Sequence, residues 1–102
     1  MELKAGSRWR SAVCETEVVV VRPPKSLVVL SCGGQPMVPL NLSPPSGAKL
    51  DTLRATGTLM GKRYMDAASA LEVLCTKPGR GSLDVSGESM TQKETKALPA
   101  SD

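Results

Sequence analysis

The sequence predicts an all-β protein built from short strands, and three observations predict it. Residues 16–22 (TEVVVVR) and 27–31 (LVVLS) are β-branched runs of the kind that fits a pleated surface. Residues 71–76 (LEVLCT) form a third such run, and Ser82-Leu83-Asp84-Val85 alternates apolar and polar. Between the runs stand Pro23-Pro24-Lys25-Ser26, Gly33-Gly34-Gln35-Pro36, Lys77-Pro78-Gly79-Arg80-Gly81 and Ser86-Gly87-Glu88, which punctuate strands rather than helices. A chain of 102 residues holds one domain or two very small ones.

Taken in order, residues 16–22, the Pro-Pro turn and residues 27–31 read as a strand, a turn and a strand, hence a hairpin; the prolines cannot donate to a ladder and end the first strand. A second turn at Gly33-Gly34 leads to the short apolar stretch MVPL. Residues 41–57 shift to proline, glycine and small polar side chains and read as a linker. Residues 58–92 form a second organised stretch. Residues 68–74 (ASALEVL) suit a helix on propensity alone, but the Pro-Gly punctuation favours strand. Residues 93–102 are a polar tail.

Composition narrows the chemistry. The chain has no histidine, no phenylalanine, one tryptophan and one tyrosine, so its core rests on Val, Leu, Met and Ala. Such a core is thin, because small domains bury only about 60% of their unfolded surface. Without histidine there is no imidazole acid–base catalysis, no Ser-His or Cys-His nucleophile pair and no imidazole metal ligand. The expectation is that the protein is not an enzyme. The net charge of +3 is a mild excess, with no Lys/Arg run and no aromatic stacking platform, so no nucleic-acid partner is expected. No apolar leader or spanning run is present, so no membrane partner is expected either. Three cysteines are an odd number that argues against a secreted disulfide framework. The cytoplasm is the expected compartment.

Sliding the chain against itself brings out an internal repeat. At an offset of 55, Gly6 meets Gly61, Arg8 meets Arg63, Trp9 meets Tyr64, Ala12 meets Ala67, Glu17 meets Glu72, Val18 meets Val73, Arg22 meets Lys77 and Pro23 meets Pro78. After a two-residue gap Leu30 meets Leu83, Gly34 meets Gly87, Gln35 meets Glu88 and Met37 meets Met90. Residues 1–40 and 58–92 are accordingly read as two copies of one unit.

The unit carries a family resemblance. Trp9-Arg10-Ser11-Ala12-Val13-Cys14, then Glu17-Val18-Val19-Val20, then Cys32-Gly33-Gly34-Gln35-Pro36-Met37 resembles the desulforedoxin-type domain, a rubredoxin-related module that also forms the N-terminal part of desulfoferrodoxins. The resemblance spans residues 6–38 and 61–91. It implies two knuckle-like turns per unit that aim thiolates at one iron or zinc in a tetrahedral sulfur site. Because such modules pair as homodimers, it also implies that the two units pack on each other as a pseudo-twofold pair. The family's four ligand positions fall on Ser11, Cys14, Cys32 and Gly33 in the first unit, and on Asp66, Ser69, Val85 and Ser86 in the second. Only two are thiols, so the family's electron-transfer chemistry does not carry over. Cys75 falls mid-strand, away from any ligand position.

Three readings of Cys14 and Cys32 stay open: structural thiols left at vestigial metal positions, a disulfide, or an iron or zinc site completed by other ligands. The leading expectation is no cofactor, with iron or zinc as the minor alternative. Asp66 and Ser69 suit hydrogen bonds to the turn N–H groups that formerly faced a metal-bound sulfur. Glu15, Glu17, Glu72 and Glu88 read as solvated carboxylates. Trp9 and Tyr64 read as caps on the two small cores. With Arg10 and Arg63 beside them, the same rings are the candidates for a partner-binding surface. The functional expectation is an accessory or protein-binding module of unknown partner, a homodimer being compatible with the sequence. The alternative is a small redox protein using Cys14 and Cys32.

Overall fold

The structure is a computed structural model that describes residues 3–43, 47 and 49–93. It is all-β, as the strand-and-turn pattern predicts. Among the described residues ten strands follow one another: β1 (Arg8–Arg10), β2 (Glu17–Arg22), β3 (Leu30–Cys32), β4 (Gln35–Pro36), β5 (Val38–Pro39), β6 (Arg63–Met65), β7 (Glu72–Lys77), β8 (Leu83–Val85), β9 (Glu88–Ser89) and β10 (Thr91–Lys93). A single 3-10 turn, Thr52–Arg54, lies between β5 and β6. Among the described residues no helix is long and apolar enough to cross a membrane.

The strands form two antiparallel sheets, one of order β10-β6-β7-β2-β1-β5 and one of order β4-β3-β8-β9. Both orders are unchanged when each strand of β1–β5 is exchanged with its counterpart five places later. The registers share this property. Val18 faces Cys75 and Val20 faces Val73, and these residues are related by the offset of 55. Leu30 faces Val85 and Cys32 faces Leu83, related by the offset of 53.

Alternation on the central strands builds the core. Val18 and Val20 on β2, and Val73 and Cys75 on β7, point inward and are buried. Trp9 lies directly across from Val18, and Tyr64 directly across from Val73, so each half covers a valine with its one large ring. From the second sheet Leu30, Cys32, Leu83 and Val85 join the same cluster, as do Leu71, Met37 and Met90. Polar–apolar alternation with single rings on valines suffices to make one core between two sheets.

One sequence expectation is overturned. Residues 16–22 and 27–31 do not form a hairpin: β2 lies in the first sheet and β3 in the second. The two prolines do end β2, but the chain then crosses to the other sheet. Lys25 N–H donates to the Ser69 carbonyl (2.7 Å), which anchors the crossing segment on the other half. The hairpins that do form are β1–β2, β3–β4, β6–β7 and β8–β9. The β3–β4 turn has Gly33 and Gly34 at φ +66° and +90°, and the β8–β9 turn has Ser86 and Gly87 at +49° and +90°. Left-handed backbone at both central positions is what a two-residue hairpin of type I′ requires, and glycine supplies it at three of the four.

The described part of the linker docks against the second sheet. Asp51 N–H donates to the Gly33 carbonyl (2.9 Å), and Ser82 N–H donates to the Arg54 carbonyl (2.8 Å). The Arg54 guanidinium pairs with the buried Asp84 carboxylate. The polar tail expected at 93–102 lies outside the described residues apart from Lys93, which closes β10.

Cys75 is 1% exposed, and its thiol donates only to the Lys77 carbonyl (3.2 Å). Its counterpart at the offset of 55 is Val20. Cys75→Val therefore removes one weak hydrogen bond and keeps an apolar fill, and is expected to change stability by under about 1 kcal/mol. Urea denaturation of the reduced protein measures it.

Candidate functional site

The turn from β1 to β2 presents Cys14. Ser11 is buried, and its N–H donates to the Thr16 carbonyl (2.9 Å), closing the turn. The Ser11 hydroxyl oxygen accepts the N–H groups of Val13 and Cys14, both at 3.1 Å. Cys14 Sγ lies 3.3 Å from the same oxygen. Thr16 Oγ1 lies at 3.3 Å from the same sulfur, and Gly81 N–H donates to it at 3.4 Å. Cys32 ends β3, is fully buried, and places its sulfur 3.7 Å from that of Cys14.

The two thiols differ sharply as acids. Burial opposes the Cys14 thiolate, but hydrogen bonds from Ser11, Thr16 and the Thr16 and Gly81 N–H groups outweigh it and bring the pKa down to about 7. Burial, and then the charge on Cys14, push Cys32 up to about 12. Above about pH 7 the pair is a Cys14 thiolate facing a Cys32 thiol across 3.7 Å. Burial also raises Cys75.

The sign for stability follows from these directions. Cys14 holds its proton less tightly folded than unfolded, so its contribution is present above pH 9 and is lost as pH falls through about 7. Cys32 works the other way, costing stability as pH rises above 9 toward 12. Alkylation by iodoacetamide is expected to label Cys14 with a midpoint near pH 7 and to leave Cys32 unlabelled at pH 9. Thr16→Val, which keeps the shape and removes one donor, is expected to move that midpoint upward. Peptide mapping by mass spectrometry after timed quenching reads both.

The second half contributes the cover. The Gly79-Arg80-Gly81 turn lies on the two sulfurs: a Cβ added at Gly79 would fall on Thr16 Oγ1 and come within 3.1 Å of Cys14 Sγ, and one at Gly81 would come within 2.9 Å of Cys32 Sγ. Sequence reasoning took these glycines as turn formers only. A Pro-Gly step followed two residues on by a second glycine, as in Pro78-Gly79-Arg80-Gly81, is the signal of close backbone approach. Thr16 was also missed.

The counterpart positions in the second half carry no thiol. The Asp66 carboxylate, buried at 7% exposure, accepts the Ser69 N–H at 3.0 Å and the Ser69 hydroxyl at 2.7 Å. The Ser69 oxygen accepts the Leu71 N–H at 3.3 Å. Val85 is buried in the core, and the exposed Ser86 accepts the Val29 N–H at 3.3 Å.

A tetrahedral iron or zinc centre does not fit the residues present. The four positions of the first half hold one hydroxyl, two thiols and a glycine. The direction in which a side chain at Gly33 would project is filled, with Leu50 Cδ1 and Val13 Cγ2 at 2.5 and 2.7 Å from an added Cβ. Among the described residues no group of three or more Cys, Asp and Glu side chains converges.

The two rings named as core caps and as partner-binding candidates both lie in the core. Trp9 and Tyr64 are only 5% and 8% exposed. The Trp9 indole N–H donates to the Ser7 hydroxyl (3.0 Å), and the Tyr64 hydroxyl accepts the Leu59 N–H (3.0 Å). Each is the one large ring of its half and fills the core there. Arg10 is half-buried and Arg63 exposed. Glu72 is not solvated as expected: it is 2% exposed and lies 3.5 Å from the Arg63 guanidinium. The Arg54–Asp84 pair was not anticipated either, since the partners stand 30 positions apart and local pattern does not link them.

Comparison of the chain with known protein families, with curated proteins and with solved structures returns no match.

Proposed function

We propose that this protein is a small non-enzymatic thiol–disulfide redox protein in which Cys14 and Cys32 are the working pair. The carrying observation is the approach of a half-exposed and a buried sulfur to 3.7 Å, with the acidity of the two thiols split between about 7 and about 12. An accessible thiolate beside a buried thiol is the arrangement that attacks and then closes. Closing the pair needs the sulfurs to move from 3.7 Å to about 2.05 Å. The cytoplasm is the compartment we propose, where a cycling pair is reduced at rest.

The same reading accounts for the scaffold. We infer two tandem desulforedoxin-like units packed as a pseudo-twofold pair. The exchangeable strand orders and registers support this, as does the turn in which Ser11 Oγ takes the N–H groups that a metal-bound sulfur takes in a knuckle. No metal is part of this reading, and neither a nucleic acid nor a membrane is.

Equilibration in glutathione buffers of graded ratio tests the redox reading. The expected result is a single two-electron transition to a Cys14–Cys32 disulfide, 2 Da lighter by intact mass. The oxidised form is expected to be more stable by about 3 kcal/mol through loop closure. Three free thiols at the most oxidising ratio overturn the reading.

A protein-binding accessory role is the second reading, favoured by one observation. Val21, Leu27 and Val29 are 41%, 95% and 52% exposed, and Leu27 rims a pocket of about 540 Å³ with Pro23, Pro24 and Val28. Recovery of one stoichiometric partner from the native host, lost on Leu27→Ser with the fold unchanged by circular dichroism, is the expected result. No stoichiometric partner removes this reading.

A further inference from the structure

We propose that a small hydroperoxide is the oxidant of the pair, reacting first at Cys14 and leaving Cys32 to resolve the product; this rests on the redox reading above. Access sets the order. Cys32 is 0% exposed while Cys14 is half-buried, so an oxidant from solvent meets the Cys14 sulfur.

The cover sets the direction of approach. The backbone of Gly79 and Gly81 packs so closely that even one added carbon would collide with Thr16 or with the Cys32 sulfur and Gly33. That side is closed to any reactant, so an oxidant reaches Cys14 from its exposed face, where a two-oxygen molecule needs the least room. The surroundings suit an oxygen. Ser11 and Thr16 hydroxyls and the Gly81 N–H all lie within 3.4 Å of Cys14 Sγ, so polar hydrogen-bonding groups already surround the atom on which oxygen is to be placed or from which it departs.

The chemistry balances in two steps. The Cys14 thiolate attacks the terminal peroxide oxygen and the O–O bond breaks. Sulfur loses two electrons and becomes the sulfenic acid, and the other oxygen leaves as hydroxide or alkoxide and takes a proton from solvent. Cys32 sulfur, 3.7 Å away, then attacks Cys14 sulfur. The S–O bond breaks, the Cys32 proton leaves with the hydroxyl as water, and a disulfide remains. Two thiols and one hydroperoxide thus yield one disulfide, one water and one further water or alcohol.

The test treats the reduced protein, in a Cys75→Val background, with one equivalent of hydrogen peroxide and with oxidised glutathione in parallel. With peroxide, the parent is expected to lose 2 Da and to give a linked Cys14–Cys32 peptide. Cys32→Ser and Cys32→Ala are expected to carry a dimedone adduct at Cys14. In Cys14→Ser the consumption of peroxide should fall about tenfold or more. Excess dimedone added with peroxide to the parent should trap Cys14, which keeps the test valid if a Cys32 variant fails to fold. An adduct on Cys32 ahead of Cys14 overturns the proposal. So does a disulfide formed with oxidised glutathione but not with peroxide, and that result leaves the redox reading standing. No disulfide with either oxidant overturns both.

Discussion

Gly81→Ala is expected to destabilise the protein by about 3 kcal/mol, at the upper end of what overpacking costs. The added methyl would stand 2.9 Å from both Cys32 Sγ and Gly33 N, and 3.0 Å from Gly33 Cα. Two of these three atoms are backbone, so no side-chain rotation relieves the clash. Gly33 cannot simply yield, because its N–H donates to the Ser82 carbonyl (2.9 Å) and its left-handed backbone forms the β3–β4 turn. Displacing the turn also withdraws the Gly81 N–H from Cys14, so the alkylation midpoint of Cys14 should rise in the same variant. Gly6→Ala is the matched control. Its added carbon meets nothing within 4 Å, although φ is +85°, and the expected cost is about 1–2 kcal/mol of left-handed strain. Urea midpoints of the two reduced variants measure the difference. Equal losses would show that the 79–81 turn does not rest on the thiols.

Trp9→Ala is expected to cost about 3–5 kcal/mol, a large share of the roughly 5–15 kcal/mol that holds a domain folded. The indole is 5% exposed, lies across β1–β2 from Val18, and packs in the cluster with Leu3, Leu30 and Met37. With no phenylalanine in the chain, no neighbouring ring can shift into the space. Trp9→Phe keeps most of the apolar contact and loses the hydrogen bond to Ser7, for an expected cost of about 1–2 kcal/mol. Circular dichroism is the proper probe, because the substitution removes the only tryptophan. A loss under about 1 kcal/mol for Trp9→Ala would contradict its place in the core.

What could be read from the sequence was local. Runs such as EVVVV, bounded by prolines and glycines, carry their strand preference in the side chains themselves, and the Gly33-Gly34 turn follows from two residues. What could not be read was which strands pair. Residues 16–22 and 27–31 look like a hairpin because a short turn separates them, yet β2 finds β7 and β3 finds β8. Local pattern does not encode that choice; burial of both inner faces against a distant half decides it. The site shows the same division. Cys14 and Cys32 stood out by residue type, but Thr16 and the Gly79–Gly81 backbone matter only through contacts made in three dimensions. Glu72 and Asp84 likewise look like any surface acid until Arg63 and Arg54 are placed beside them.

The central β2–β7 ladder has a consequence for how the protein is made. β2 ends at Arg22 and its partner begins at Glu72, so at about 5–20 residues per second the ribosome needs roughly 3–10 s to deliver the strand that pairs with it. During that interval a nascent edge of four consecutive valines faces the cellular milieu with only β1 beside it. Arg22 and the two prolines directly after it interrupt that edge at its end, as gatekeepers do. Once β7 arrives, the tether turns a second-order encounter between halves into a first-order closure. Assembly that two separate copies would achieve only above a threshold concentration then proceeds at any expression level.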